Sequence, residues 1–152
     1  MKLLHFVLTK VSFVLNREFK PGGREEVAIG PEISLNHEVR EKEKQLVVML
    51  GVRQITGDIP YYFEVEAGSI FQFDEIPEEK ILKQFETINC PAIIFPYIRE
   101  SIADLTRRAG FPPLHLDPIN FIELAKKRES NGQQKVKDDA EKPQSISSQS
   151  LQ

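Results

Sequence analysis

The first half of the chain alternates apolar and polar residues with the period of two that is typical of β-strands. Four segments carry this pattern or a short apolar run: residues 3–15, 27–39, 46–50 and 60–67. The connections at 40–44 and 56–58 have the length of hairpin loops. The pattern therefore predicts four strands, of which the last three form an antiparallel meander.

The segment 60–67 shows the clearest alternation of the four. One set of alternate positions is apolar, namely Tyr61, Phe63, Val65 and Ala67. The other set is polar, namely Tyr62, Glu64 and Glu66. Because successive side chains of a strand point to opposite faces, this strand is predicted to have one buried and one solvent-facing side.

The second half of the chain has the longer period of helices. Helices are predicted over 77–88, 91–109 and about 120–127. In the middle one, Pro91 suits the first helical position, so Cys90 is predicted as the N-cap, and Gly110 is predicted as the C-cap. Strands followed by helices indicate an α+β fold.

The middle helix and the segment after it carry the most specific pattern. Its apolar stripe consists of Ile94, Ile98, Ile102, Leu105 and Ala109. Pro112 and Pro113 follow Gly110 directly, which predicts that the helix ends there and that an extended apolar segment, 111–116, begins.

The block 89–121, with Phe95-Pro96 inside the helix and Phe111-Pro112-Pro113 after it, resembles the SecB-type protein-export chaperones. Residues 6–13 resemble the first strand of that family, and residues 63–71 resemble its fourth strand and the glycine-containing bend that follows. The resemblance covers about residues 3–128. It implies a four-stranded antiparallel sheet with helices packed on one face, and an assembly of two dimers that pack through the long helices.

The resemblance also implies a function. Proteins of this family are ATP-independent holdases that bind unfolded precursor proteins in the cytoplasm and pass them to the export machinery through the SecA motor. The implied protein is a homotetramer without cofactors and is not an enzyme. Two alternatives stay open: a SecB-like chaperone dedicated to an antitoxin or another single client, and a non-chaperone interaction or small-ligand domain of the same fold. One enclosed pocket instead of a long open groove would favour the latter.

Site residues follow from the resemblance together with the apolar surplus of the second half. The residues expected to bind unfolded clients are Phe71, Phe111, Leu114, Leu116, Phe121 and Leu124. The residues expected in a subunit interface are Phe63, Val65 and Ala67. The residues expected to dock the motor are Tyr62, Glu64 and Glu66. The better-known members carry acidic residues on strand 1 where this chain has Lys10 and Val14, so the negative surface is expected to be smaller.

Composition adds three expectations, about the C-terminal tail, nucleic-acid binding and membrane insertion. Residues 129–152 contain no aromatic side chain and are rich in Ser, Gln and charged residues, which predicts a disordered tail after a chaperone domain of residues 1–128. A net charge of −3 without a basic stripe argues against a nucleic-acid partner. No apolar run reaches the roughly 18 residues that span a bilayer, so membrane insertion is not expected.

Candidate chemistry is sparse. Cys90 at a helix N-terminus could have a lowered thiol pKa, but a lone cysteine at such a position is more often structural. The three histidines, His5, His37 and His115, lack the spacing of metal ligands. Arg99 either faces solvent or pairs with a carboxylate across a subunit contact. These observations leave an enzyme as the weakest interpretation, and no metal or cofactor is expected.

Overall fold

The computed structural model describes the backbone of residues 1–141 and the side chains of residues 1–132. Four strands form one antiparallel sheet: β1 (Lys2–Leu15), β2 (Glu32–Arg40), β3 (Gln45–Gln54) and β4 (Tyr61–Gln72). Their order across the sheet is β1-β4-β3-β2, so β1 and β2 are the edge strands. The predicted meander of the last three strands is confirmed, and β1 completes the sheet beside β4.

One face of the sheet carries the core. Val52 is paired with Val65, and Leu50 with Ala67, across the two central strands. These side chains alternate with the outward row of β4, as the period of two predicted. The stripe of the long helix, Ile94, Ile98 and Ile102, is fully buried against this face.

The helices follow the sheet: α1 (Glu79–Gln84), a π-helical turn (Phe85–Asn89), α2 (Cys90–Arg108) and α3 (Phe121–Glu141). Asn89 has helical angles, with φ −67° and ψ −51°, so the chain passes from the π-helical turn into α2 without leaving the helix. The predicted N-cap role of Cys90 is therefore wrong. The amide of Cys90 donates to the carbonyl of Phe85, five residues back, and this wide turn accommodates Pro91, which has no amide hydrogen.

The C-terminus of α2 agrees with the sequence. Gly110 has φ +97°, a conformation that glycine adopts without steric cost. Its amide donates to Arg107 O at 3.1 Å, and the amide of Phe111 donates to Thr106 O at 3.1 Å. This is the Schellman arrangement that closes a helix, and residues 111–120 then run without regular structure, as the two prolines predicted.

Two predictions about the strands are wrong. Residues 27–31 do not belong to β2, which begins only at Glu32, after Pro31. Proline cannot donate to a strand ladder, which accounts for the late start. The expected bend at Gly68 is absent, because β4 runs on to Gln72 and pairs along this whole length with β1 and β3. A Cβ on Gly68 would lie 3.0 Å from Met49 Sδ, so this glycine permits close packing inside the sheet.

The last helix is longer than predicted. The sequence placed its end near Lys127 and a disordered tail from residue 129, whereas α3 continues to Glu141. Residues 129–141 contain several good helix formers and need no apolar face to extend a helix that Phe121 already anchors. The remainder of the predicted tail, residues 142–152, lies outside the described residues.

Candidate functional site

A pocket of about 400 Å³ opens beside α2, where three segments meet. The loop before β2 contributes one wall, Ile33 and Phe95 contribute the floor, and the extended segment after α2 contributes the other wall. The lining residues are Val27, Ile29, Pro31, Ile33, Phe95, Leu114, His115, Leu116, Asp117, Pro118 and Ile119. The site is therefore lined mainly by aliphatic and proline side chains, with one histidine and one carboxylate.

Thr106 positions the extended segment that forms the second wall. Its side chain is fully buried, and its hydroxyl oxygen lies 2.9 Å from Ile102 O, to which it donates. The same oxygen accepts a hydrogen bond of 2.9 Å from the amide of Leu114. A single buried hydroxyl thus fixes the non-regular backbone to α2 and holds Leu114 at the pocket.

Phe95, which lines this pocket, packs on a second aromatic side chain of the core. Phe95 of α2 and Phe121 of α3 meet edge to face, with ring centroids 5.8 Å apart, and both are buried. Leu116 is 7% exposed and packs in the same cluster. The base of the pocket is therefore part of the rigid core, while Leu114 and Ile119 are only partly buried at its sides.

A second pocket of about 220 Å³ lies farther along β2, between that strand, the π-helical turn and α3. Its lining residues are Leu35, His37, Lys83, Thr87, Leu124, Ala125, Arg128 and Glu129. Ile33 of the first pocket and Leu35 of the second are two residues apart on one strand, so they share a face about 7 Å apart. The two pockets therefore adjoin along β2.

The residues expected to bind clients separate into three groups in the structure. Leu114 and Leu116 line the first pocket, and Leu124 lines the second. Phe71 is fully buried and Phe121 is 4% exposed, so both are core residues in this chain. Phe111 lies apart from both pockets and packs on Tyr61, with ring centroids 4.8 Å apart. The assignment of Phe71 and Phe121 to a client surface is corrected accordingly, and that of Phe111, which is partly exposed, stays a prediction.

The residues expected in a subunit interface are also core residues. Phe63 is 1% exposed, and Val65 and Ala67 are fully buried, because α2 of the same chain covers them. They present no surface to a second copy, which corrects the prediction that they lie in a subunit contact.

Most of the exposed large apolar side chains lie elsewhere, on β1 and on α2. Those on β1 and α2, each between 38% and 56% exposed, are Leu4, Val7, Leu8, Val11, Val14, Leu15, Ile93 and Tyr97. Phe95, which lies between Ile93 and Tyr97 in the sequence, is instead buried.

The outward row of β4 has the predicted geometry, and each of its members is bonded within the chain. Glu64 Oε2 lies 3.0 Å from Lys10 Nζ of the neighbouring strand. Glu66 Oε1 accepts a hydrogen bond of 2.7 Å from the hydroxyl of Thr9. The hydroxyl of Tyr62 donates to Gly57 O at 3.1 Å. Both carboxylates of this row are therefore engaged by β1.

The candidate nucleophile is not activated. Cys90 is fully buried, and burial raises the pKa of its thiol to about 12. The thiol is therefore protonated at neutral pH, and only the thiolate is a good nucleophile. Among the described residues there is no group of three or more His, Cys, Asp or Glu side chains that could hold a metal ion. In the part of the chain that the structure describes, no helix is both long and apolar enough to cross a bilayer.

The fold is an α+β sheet-and-helix fold with two adjoining surface pockets along β2. Comparison with known families is specific: the model of the SecB family, "Preprotein translocase subunit SecB", matches residues 18–132. The chain belongs to the SecB family.

Two curated relatives illustrate the similarity. The chain is 32% identical over 105 residues to the protein-export protein SecB of Dinoroseobacter shibae, covering 67% of this chain and 60% of the relative. It is 34% identical over 109 residues to the protein-export protein SecB of Paracoccus denitrificans, covering 68% of this chain and 61% of the relative. The chain therefore spans about three fifths of the length of these relatives.

A solved structure shows the same fold. It is the SecB-like chaperone Rv1957 of Mycobacterium tuberculosis, in complex with a ChAD peptide from the antitoxin HigA1. The TM-score is 0.63 at 21% identity, and the match covers 78% of this chain and 90% of that chain. The resemblance that the sequence indicated, to SecB-type chaperones with a four-stranded antiparallel sheet and helices, is confirmed.

Of the residues that line the first pocket, sequence reasoning identified only Leu114 and Leu116 as site residues. Val27 and Ile29 were assigned to a strand, but they belong to the loop that forms a pocket wall. The signal was Pro31, which interrupts the alternation just before the true start of β2. Thr106 was overlooked because it is polar, although it lies four residues after Ile102 on the buried side of α2.

Proposed function

We propose that this protein is an ATP-independent holdase that binds unfolded polypeptides in the two adjoining pockets along β2. The observation that carries this proposal is the adjacency, at an edge strand, of two pockets that each contain aliphatic lining residues. Leu114 at one and Leu124 at the other are partly exposed, so apolar side chains of a client can bury surface on both. Such binding needs no chemical step.

The position of the pockets at an edge strand favours extended clients. An extended segment places alternate side chains on one face about 7 Å apart, which matches the spacing of Ile33 and Leu35. Recognition would then combine apolar contacts with hydrogen bonds to the backbone of β2, as in strand addition. Because the backbone is common to all sequences, this mode serves many clients.

The clients that we propose are precursor proteins, and the route is delivery to the export machinery in the cytoplasm. Membership of the SecB family and the names of the curated relatives support this assignment. We propose that the SecA motor is the receiving partner and that it docks on the outward row of Tyr62, Glu64 and Glu66. We also propose a homotetramer, with the exposed apolar residues of β1 and α2 in its contacts.

A dedicated chaperone is the second candidate function. The observation that favours it is the fold of a SecB-like chaperone solved with a peptide from an antitoxin. The two candidates differ in client range. Capture from cytoplasm, followed by identification of the bound chains, gives many precursors in the first case and one dominant partner in the second.

Holdase activity is tested by mixing the protein with a chemically unfolded model protein in the absence of ATP and measuring whether aggregation is suppressed. We expect the wild-type protein to suppress light scattering at stoichiometric amounts. Leu114→Gln should weaken client binding about threefold to tenfold, because it places an amide where an apolar side chain would be buried. Leu124→Gln should have a similar effect at the second pocket. Ile122→Gln is the matched control, since Ile122 lies on the same helix, is 51% exposed and lines neither pocket.

Two outcomes would contradict the proposal. If the wild-type protein fails to suppress aggregation, the chain is not a holdase. If Leu114→Gln and Leu124→Gln retain native circular dichroism and full suppression, clients bind elsewhere. Circular dichroism of both variants is necessary because a loss of fold would also remove activity.

A further inference from the structure

One side chain of the C-terminal helix forms a hydrogen bond with the exposed edge of β2. Nη2 of Arg128 donates a hydrogen bond of 2.9 Å to the carbonyl oxygen of Ile33. In an antiparallel ladder the amide and carbonyl of one residue face the same neighbour, and the direction alternates along the strand. Ile33, Leu35 and His37 therefore present their backbone groups to the edge that faces away from β3.

A second contact holds the same part of α3. Lys83 Nζ of α1 lies 2.8 Å from Glu129 Oε1. Hydrogen bonding to Lys83 lowers the pKa of Glu129, and hydrogen bonding to Glu129 raises the pKa of Lys83. Both side chains are more than half exposed, so this ion pair is weak and salt-sensitive.

The first of these contacts lies where the pockets meet, and the second lies in the second pocket. Arg128 bonds to Ile33, which lines the first pocket, and itself lines the second. Leu124, Ala125, Arg128 and Glu129 make the second pocket's wall on the side of α3. The backbone acceptor that an extended client would need at the junction is thus already occupied by the chain's own arginine.

The two contacts Arg128–Ile33 and Lys83–Glu129 are together called the clasp. We propose that Arg128 competes with the client backbone for Ile33 O. An extended apolar segment displaces the clasp when it passes from the first pocket into the second. This inference rests on the proposed function and adds a specificity-determining residue to it. α3 stays attached during the exchange, because Phe121 at its start is buried against Phe95.

The strengths of the contacts make the exchange feasible. The clasp consists of one surface hydrogen bond and one exposed ion pair, which are among the weaker interactions of a folded protein. A client segment that buries two large apolar side chains gains more than this. The clasp therefore disfavours weakly apolar segments and yields to strongly apolar ones.

The test measures client affinity and helix protection in the same full-length variants. The client probe is fluorescein-labelled, reduced and carboxymethylated lactalbumin, which cannot refold, and its binding is followed by anisotropy. Arg128→Ala should bind it about threefold more tightly than the wild type, because the competing donor is gone. Lys126→Ala removes the same charge from an exposed site on α3 that lines neither pocket, and it should leave the affinity unchanged.

Hydrogen exchange without client supplies the second readout. Deuterium uptake of a fragment covering residues 121–132 should rise in Arg128→Ala and stay at the wild-type level in Lys126→Ala.

The outcomes separate the two proposals. If the wild type binds the probe but Arg128→Ala binds it equally or more weakly, the clasp proposal is overturned and holding stands. Unchanged deuterium uptake in Arg128→Ala also overturns the clasp. If the wild type does not bind the probe at all, the proposed function itself is overturned, and competition by Arg128 falls with it.

Discussion

Lys10 changes what the outer face of the sheet offers to a charged partner. Its ammonium group lies 3.0 Å from Glu64 Oε2, and Thr9 donates to Glu66. The resemblance led us to expect a reduced negative surface at this position, and the structure supplies the physical cause. One basic side chain of β1 neutralises the central carboxylate of the row, so the field that would steer a cationic partner is smaller.

We predict that motor docking depends on Glu64 and is restrained by Lys10. Glu64→Lys should weaken binding of the cognate SecA motor about twofold to fivefold at low salt, since exposed charges contribute little each. Lys10→Ala should strengthen binding by a similar factor because it frees Glu64. Titration by surface plasmon resonance at two salt concentrations measures both effects.

Glu78→Lys serves as the control, because Glu78 is exposed on the helical side of the molecule. Client holding should survive in all three variants. Equal motor affinity for wild type, Glu64→Lys and Lys10→Ala would place the docking surface elsewhere or exclude this motor as a partner.

Strand β4 is the element that the sequence predicts best. Its alternation identified the buried row and the outward row correctly, because a strand with one wet face must separate the two. Alternation does not say what covers the buried row. Phe63, Val65 and Ala67 were expected in a subunit interface, whereas α2 of the same chain packs on them.

The junction before α2 shows a different limit. Cys90-Pro91 has the local signature of a helix start, yet the chain is already helical at Asn89. Local rules could not predict this, because the π-helical turn that joins the two helices is rare and both Cys90 and Pro91 are buried. Tertiary packing overrode the local signal.

The residues proposed to bind clients were also predicted only in part. Leu114, Leu116 and Leu124 were predictable from the proline-rich segment and the amphipathic start of α3, and they line the pockets. The aromatic residues Phe71 and Phe121 were expected there for their size, but large apolar side chains fill cores as readily as grooves.

We predict that α3 stabilises the fold through its first turns only. Deletion of residues 130–152 should change the melting temperature by less than about 3 °C, because it keeps Phe121, Leu124, Arg128 and Glu129. Deletion of residues 121–152 should lower it by about 10 °C or more, since removal of a buried phenylalanine alone costs about 3–5 kcal/mol. Thermal unfolding followed by circular dichroism measures both.

A large loss of stability in the shorter deletion would show that residues beyond Glu129 pack on the domain. The division of the chain near residue 128 into a chaperone domain and a polar extension would then be wrong. A negligible loss in the longer deletion would contradict the anchoring role of Phe121.

At the scale of the whole molecule, β1 is the element that most favours the proposed assembly. It is an edge strand of 14 residues with apolar side chains exposed on both faces. Leu8 and Val11 pair with Ala67 and Val65 and so share the inner face, while Val14 pairs with Tyr62 on the outer one. Such an edge is a template for pairing with another chain.

A polar atom in α2 also favours a second copy. Within the described residues, Arg99 Nε is buried and has no hydrogen-bond partner. Buried polar groups are normally satisfied, so a carboxylate of a neighbouring subunit is the natural partner for this guanidinium group. Sequence reasoning had left this pairing open, and the proposed tetramer would provide it.

The proposed tetramer is tested by two substitutions at paired positions of β1 and β4. One changes a surface residue and the other a core residue. Val11 is 52% exposed and pairs with Val65, which is fully buried. We predict that Val11→Asp lowers the assembly state and keeps native circular dichroism, because the charge enters a subunit contact and remains hydrated in the separated chain. Val65→Asp should instead unfold the protein, since its carboxylate would be buried inside the subunit.

Multi-angle light scattering at micromolar concentration measures the mass of the particle. A wild-type particle of 17.4 kDa would end the proposal of a tetramer, and a Val11→Asp protein that stays tetrameric would move the contact away from β1.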